Sequence, residues 1–169
     1  MTQPQKRDQL VITRVFNVSR EQVWKAWTQP EQLKKWLSPK GFSAPFSSID
    51  LRVGGRYLNS MRGPDGKDIW STGVYREVVP PERLVMTDSF ADEKGEVVSA
   101  TYYGLGSEFP RELQITLTLD KEEDKTKLTL KHAGINNLSE KDVSDIEQGW
   151  NESLDKLAAH LEASASKQL

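Results

Sequence analysis

The chain holds few side chains suited to catalysis: two histidines, no cysteine, and carboxylates scattered among strand-like stretches. His132 stands at the end of "KTKLTLKH", on the same strand face as Leu128 and Leu130. An imidazole titrating near neutrality there could serve as a general base, or simply hydrogen-bond at the edge of a core. His160 falls off the leucine stripe of the last segment and is expected in solvent. Of the acids, Asp50, Asp68, Glu77, Asp88 and Glu112 lie in or beside strands. Glu77, in "REVVPPER", has two readings. It pairs with Arg76 or Arg83 at the surface, or it is a buried acid of raised pKa that drives a cyclisation or dehydration.

His132 and Glu77 are thus the side chains put forward for catalysis, and binding without turnover is the main expectation. No His-x-x-x-His or paired His/Cys spacing points to a metal, and no Gly-rich phosphate loop or G-x-S-x-G elbow occurs. The "GPDG" at 63–66 is turn chemistry. No cofactor is implied. Of the five tryptophans, Trp24, Trp27 and Trp36 have the spacing of residues that pack short helices onto a core.

These side chains need elements to position them. A length of 169 residues, 28% charged and 36% hydrophobic, suits one domain that folds without disulfides. The net charge of −2 gives no nucleic-acid footprint. The opening "MTQPQKRDQL" has no apolar signal region and no stretch reaches membrane-span length. The protein is therefore expected to be soluble and cytoplasmic, a monomer or homodimer.

"LVITRVFNV" (10–18) reads as a strand, and "SREQ" as the capping-box start of a short helix carrying Val23, Ala26 and Trp27. A second helix begins at Pro30, groups Leu33, Trp36 and Leu37, and ends by Pro39 and Gly41. Strands and turns follow to about residue 133. "FSSIDLRV" and "RYLNSMR" are expected to meet across Gly54-Gly55 as a two-residue hairpin. "IWSTGVYREVV", "RLVMTDSF", "ELQITLTLD" and "KTKLTLKH" complete the set, the last two alternating apolar and polar as in a sheet with one wet face. Residues 92–110 alternate weakly and are either a short extra strand or a covering flap. From Ser139 to about 163, Val143, Ile146, Trp150, Leu154, Leu157 and Leu161 predict a helix roughly 36 Å long. Glu152 and Lys156, four apart on it, read as a solvated face.

Seven strands at about 4.8 Å spacing make a sheet roughly 29 Å across, whereas one helix covers only about 10–12 Å. The sheet must curl around the helix, with Gly54-Gly55 and Gly73 as points of relief. A curved sheet against a straight helix leaves room for a cavity. Gly149 either keeps that room open or lets a core aromatic pack close, at a helix-propensity cost of about 1 kcal/mol.

Strand, two short helices, six strands and a long terminal helix resemble the helix-grip fold of the START-like, SRPBCC or Bet v 1-like superfamily. Within it, "VWKAWTQPEQLKKWLSP", "DLRVGGRY", "GVYREVVPPERLVMTDSF", "KLTLKHAG" and "GWNESLDKLAAHLE" resemble the branch named for activator of the heat-shock-protein-90 ATPase homologues. The likeness spans residues 9–163 as one domain, with 1–8 and 164–169 as flexible ends. It implies an α+β fold, a seven-stranded antiparallel sheet wrapped around the last helix. It also implies an apolar pocket between them, lined by Trp36, Trp70, Met86, Phe90, His132, Gly149, Trp150 and Leu154. Tyr102, Tyr103 and Phe109 would line the mouth. The expected partner is a small hydrophobic or aromatic molecule such as a lipid or polyketide, with a stress-related role consistent with the family. A chaperone partner is the alternative; fuller members of that branch carry another domain ahead of this one, and about eight residues precede the first strand here. A pocket-based cyclase or hydrolase is the other, since the superfamily houses all these functions.

Overall fold

The computed structural model describes residues 9–166. The ends expected to be flexible lie outside the described residues at 1–8 and 167–169, whereas residues 164–166 continue the last helix. Seven strands build one curled, antiparallel half-barrel: β1 (Gln9–Phe16), β2 (Ser43–Ile49), β3 (Arg56–Arg62), β4 (Asp68–Val79), β5 (Arg83–Ala91), β6 (Leu113–Glu122) and β7 (Lys125–Ala133). Their spatial order is β1-β7-β6-β5-β4-β3-β2. Helices α1 (Arg20–Thr28) and α2 (Pro30–Leu33) follow β1, and α3 (Glu140–Ser166) ends the chain. The fold is α+β, and among the described residues no helix is long and apolar enough to cross a membrane.

Local chemistry explains most of the boundaries. Ser19 and Gln22 form a reciprocal capping box at α1. The second helix is shorter than its pattern predicts: α2 is a single turn, and the chain to Leu37 continues as irregular turns held by the Leu33 carbonyl. Six residues, not two, connect β2 to β3. The reason is that Gly54 and Gly55 are already engaged, their backbone pairing with that of Tyr75 in β4. A side chain at position 55 would strike the Asp50 carbonyl. The 92–110 segment is the covering flap: a 3-10 turn at Ala100–Tyr103 followed by a loop that brings Phe109 over the sheet. The Tyr103 hydroxyl ties it down, donating to the Ala91 carbonyl and accepting from the Trp70 amide.

The core explains why space remains. On the concave face Leu10, Ile12, Leu117, Leu119, Leu128 and Leu130 are buried together with Leu154, Leu157 and Leu161 of α3. The helix rests on β1 and against α1, to one side of the sheet. Arg14 on β1 fixes this placement, reaching Asp155 at 2.9 Å and the Asn151 carbonyl at 3.1 Å. The lower half of the α3 stripe is fully buried, whereas Val143, Ile146 and Trp150 are only partly so. Their half of the helix spans concave sheet that no other element fills.

The polar face of α3 is also more engaged than its pattern predicts. Lys156 is half-buried, and its Nζ donates to Ser38 Oγ, Pro39 O and Phe42 O at 2.8–3.0 Å. The loop after α2 turns these oxygens inward, where the Pro39 carbonyl also accepts from the Phe42 amide and the Phe42 carbonyl from the Ser38 hydroxyl, and the ammonium donates to all three. Glu152 accepts from the Lys40 amide. His160, expected in solvent, is half-buried with Nε2 3.2 Å from Gln32 Oε1.

Candidate functional site

A cavity of about 270 Å³ lies between the concave faces of β3–β7, the upper half of α3 and the turns around α2. That is nearly twice the ~150 Å³ void that holds a benzene in a protein core. Most of its wall is apolar: Leu33, Leu37, Met61, Ile69, Met86, Phe90, Phe109, Leu113, Ile115 and Ile146. An aromatic group closes one end. Trp27 stacks on Trp150 at 5.9 Å between centroids and meets Trp36 edge-on at 4.7 Å. A Cβ added at Gly149 would meet nothing within 4 Å, so glycine there leaves open space beside Trp150.

His132 belongs to this aromatic end. Its Nδ1 accepts the Trp150 indole N–H at 3.1 Å, which puts the ring proton on Nε2. Nε2 is buried without a partner among the described residues. Burial lowers its pKa to about 4, so the ring is neutral at physiological pH. With Nδ1 occupied and basicity lost, His132 is a poor general base.

The opposite wall is polar and centred on Asp88. Period-two alternation along β5 puts Met86, Asp88 and Phe90 on one face, all lining the cavity. Tyr57 reaches across from β3, its hydroxyl 2.8 Å from the Thr87 carbonyl and 3.0 Å from Asp88 Oδ1. Gly73 lies beneath this reach. A Cβ there would collide with the Thr87 carbonyl and stand 2.6 Å from Tyr57 Cε1. Asp88 is half-buried and lines the cavity. Loss of solvation raises its pKa to about 6 despite the opposing Tyr57 hydrogen bond. Tyr57 and Tyr75, ring centroids 5.8 Å apart, are likewise held protonated, chiefly by burial.

The residues put forward from sequence separate into three groups. Met86, Phe90, Phe109, His132, Gly149 and Trp150 line the cavity together. Trp36 and Leu154 are fully buried in the core instead, Trp36 with its indole N–H on the Ala26 carbonyl at 2.9 Å. Trp70, Tyr102 and Tyr103 meet along a separate groove. There Trp70 packs on Phe46, because Ile69 and Ser71 take the inward positions of β4. Glu77 is on the exposed side of a β4 bulge, paired with Arg83 at 2.7 Å and remote from the cavity wall. Among the described residues no group of three or more His, Asp or Glu gathers to hold a metal ion.

The family model for activator of Hsp90 ATPase homolog 1-like proteins matches residues 17–162. The chain belongs to this family. Solved structures agree on the fold. A Chromobacterium violaceum protein is 29% identical with a TM-score of 0.73, covering 92% of this chain and 97% of its own. An Arthrobacter aurescens protein reaches a TM-score of 0.80 at 24% identity over 96% and 90%. The AHSA1 protein from Silicibacter pomeroyi, 22% identical, superposes with a TM-score of 0.72 over 92% and 99%. No curated protein matches the sequence significantly.

In this family member the residue that sequence reasoning missed is Asp88, and with it Tyr57 and Tyr75. The signal was present. Met86 and Phe90 were both assigned to the pocket, and the residue midway between them on a strand must share their face. Tyr57 and Tyr75 carried no such flag, since their strands show no clean alternation.

Proposed function

We propose that the protein binds a small hydrophobic or aromatic molecule in the cavity between the sheet and α3. The observation that carries this reading is the unfilled, mainly apolar space of about 270 Å³, walled by side chains the fold holds in place. Affinity comes from removing apolar surface from water, at roughly 25 cal/mol per Å². The few polar groups set orientation. Gly149 lines the space and a Cβ there meets nothing within 4 Å, so it is the point from which a larger side chain can be grown to fill the cavity. Quenching of tryptophan fluorescence by 2-naphthol tests the proposal. It should saturate at one equivalent and vanish in Gly149→Phe, while that variant still unfolds cooperatively. Non-saturable quenching, or equal binding by the folded variant, contradicts it.

The family description favours a second reading, a partner of the heat-shock-protein-90 ATPase. The chaperone's ATPase rate with and without this protein decides it, and an unchanged rate at micromolar concentration removes it.

A further inference from the structure

The cavity lining carries one carboxylate and no lysine or arginine. Burying an acid without a counter-charge is unfavourable, and proteins ordinarily pair such groups. Asp88 has no such pair. Its Oδ1 takes the Tyr57 hydroxyl, while Oδ2 accepts no hydrogen bond among the described residues. The imidazole of His132, across the cavity, does not supply the charge, since its Nδ1 is taken by Trp150. A cation that pairs with Asp88 would therefore come from outside the lining.

Building on the cavity being a ligand site, we infer that its occupant is a small apolar molecule carrying a protonated amine, seated with the ammonium on Asp88. Three features of the site fit such a ligand. The free carboxylate oxygen accepts one ammonium hydrogen. The Tyr75 hydroxyl, with no hydrogen bond among the described residues, can accept another. The Tyr57 hydroxyl is bonded to the carboxylate and the Tyr57 and Tyr75 rings lie 5.8 Å apart in the same lining, and aromatic faces stabilise a desolvated ammonium. At the opposite end Trp27, Trp150 and Ile146 offer an apolar surface for the rest of the molecule. A carboxylate ligand of the same size would face Asp88 with like charge and no base to offset it. The site thus discriminates by charge as well as by shape.

Three probes of one shape but different charge test this: 1-naphthylmethylamine, 1-naphthalenemethanol and 1-naphthoate, titrated calorimetrically at about pH 7.5. The amine should bind roughly tenfold or more tighter than the alcohol, as for a hydrogen bond to a charged group, and the naphthoate weakest. In Asp88→Asn the amine-to-alcohol ratio should collapse towards one. Wild-type protein near pH 5 should show the same collapse as Asp88 takes up a proton, because Tyr57, Tyr75 and His132, the other titratable groups of the lining, are neutral at both pH values. Equal binding of amine and alcohol by wild type, or a preference that survives in Asp88→Asn and at low pH, overturns the inference and leaves the cavity proposal standing. Binding of none of the three overturns both.

Discussion

Replacing Asp88 by asparagine should stabilise the protein, contrary to the usual effect of altering a buried hydrogen-bonded residue. Burial pushes the folded carboxyl up to about 6 from its ordinary value of 3.8. The folded state therefore binds more protons than the unfolded state between those pH values, and the residue's contribution falls as pH rises through that window. By pH 7 the penalty is about 3 kcal/mol, at 1.36 kcal/mol per pKa unit. Asparagine keeps an acceptor for the Tyr57 hydroxyl and removes the charge. The shift already includes the stronger hydrogen bond that Tyr57 makes to the ionised carboxylate. The expected gain is therefore about 3 kcal/mol at pH 7, shrinking to about 0.5 kcal/mol near pH 4. Urea unfolding of both proteins from pH 4 to 7 measures it directly, with a constant m-value confirming that the unfolded states are comparable. Other titrating groups cancel in the difference. His132 has the opposite sign. Burial lowers its folded pKa to about 4 from an ordinary 6.5, so its contribution rises with pH, and Asp88→Asn should unmask that rise. A variant less stable than wild type at pH 7, or two pH curves that run parallel, would refute the reasoning.

Two glycines should respond oppositely to alanine. Gly73→Ala drives a methyl into the Thr87 carbonyl and the Tyr57 ring and should cost about 3 kcal/mol or more, whereas Gly149→Ala meets open space and should gain about 1 kcal/mol, both read by thermal unfolding. Lys156→Met removes a charged donor shared by three oxygens of the 38–42 loop, two of which keep a neutral donor within the loop. Urea unfolding should show a loss of about 2 kcal/mol. Trp150→Phe removes the donor that fixes the His132 tautomer. The nitrogen chemical shifts of that ring should then report a mixture in place of a single Nε2-protonated form.

The sequence was most legible where one periodicity ran uninterrupted. The stripe on α3 and the alternation of β6 and β7 each have a single consistent face, so their core residues and His132 could be placed. Legibility failed where the backbone departs from a regular ladder. The β4 stretch "IWSTG" shows no alternation, so nothing signalled that Trp70 points away from Ile69 and Ser71. The bulge after Tyr75 then resets the face for Glu77. Gly54-Gly55 looked like a tight hairpin because glycine pairs usually are, but here they dock against a third strand. The family resemblance implies Trp36 and Leu154 as pocket residues, and only the off-centre rest of α3 on β1 separates core from cavity.

The most direct test of the account is tryptophan indole resonances in a nitrogen–proton correlation spectrum during titration with naphthalene. Five tryptophans report from distinct places, with Trp27 and Trp150 on the cavity, Trp24 and Trp36 in the core, and Trp70 packed on Phe46 outside it. The account predicts saturable shifts at Trp27 and Trp150, with Trp70 unmoved. Shifts confined to Trp70, or no shift at any indole up to the solubility limit, would contradict it.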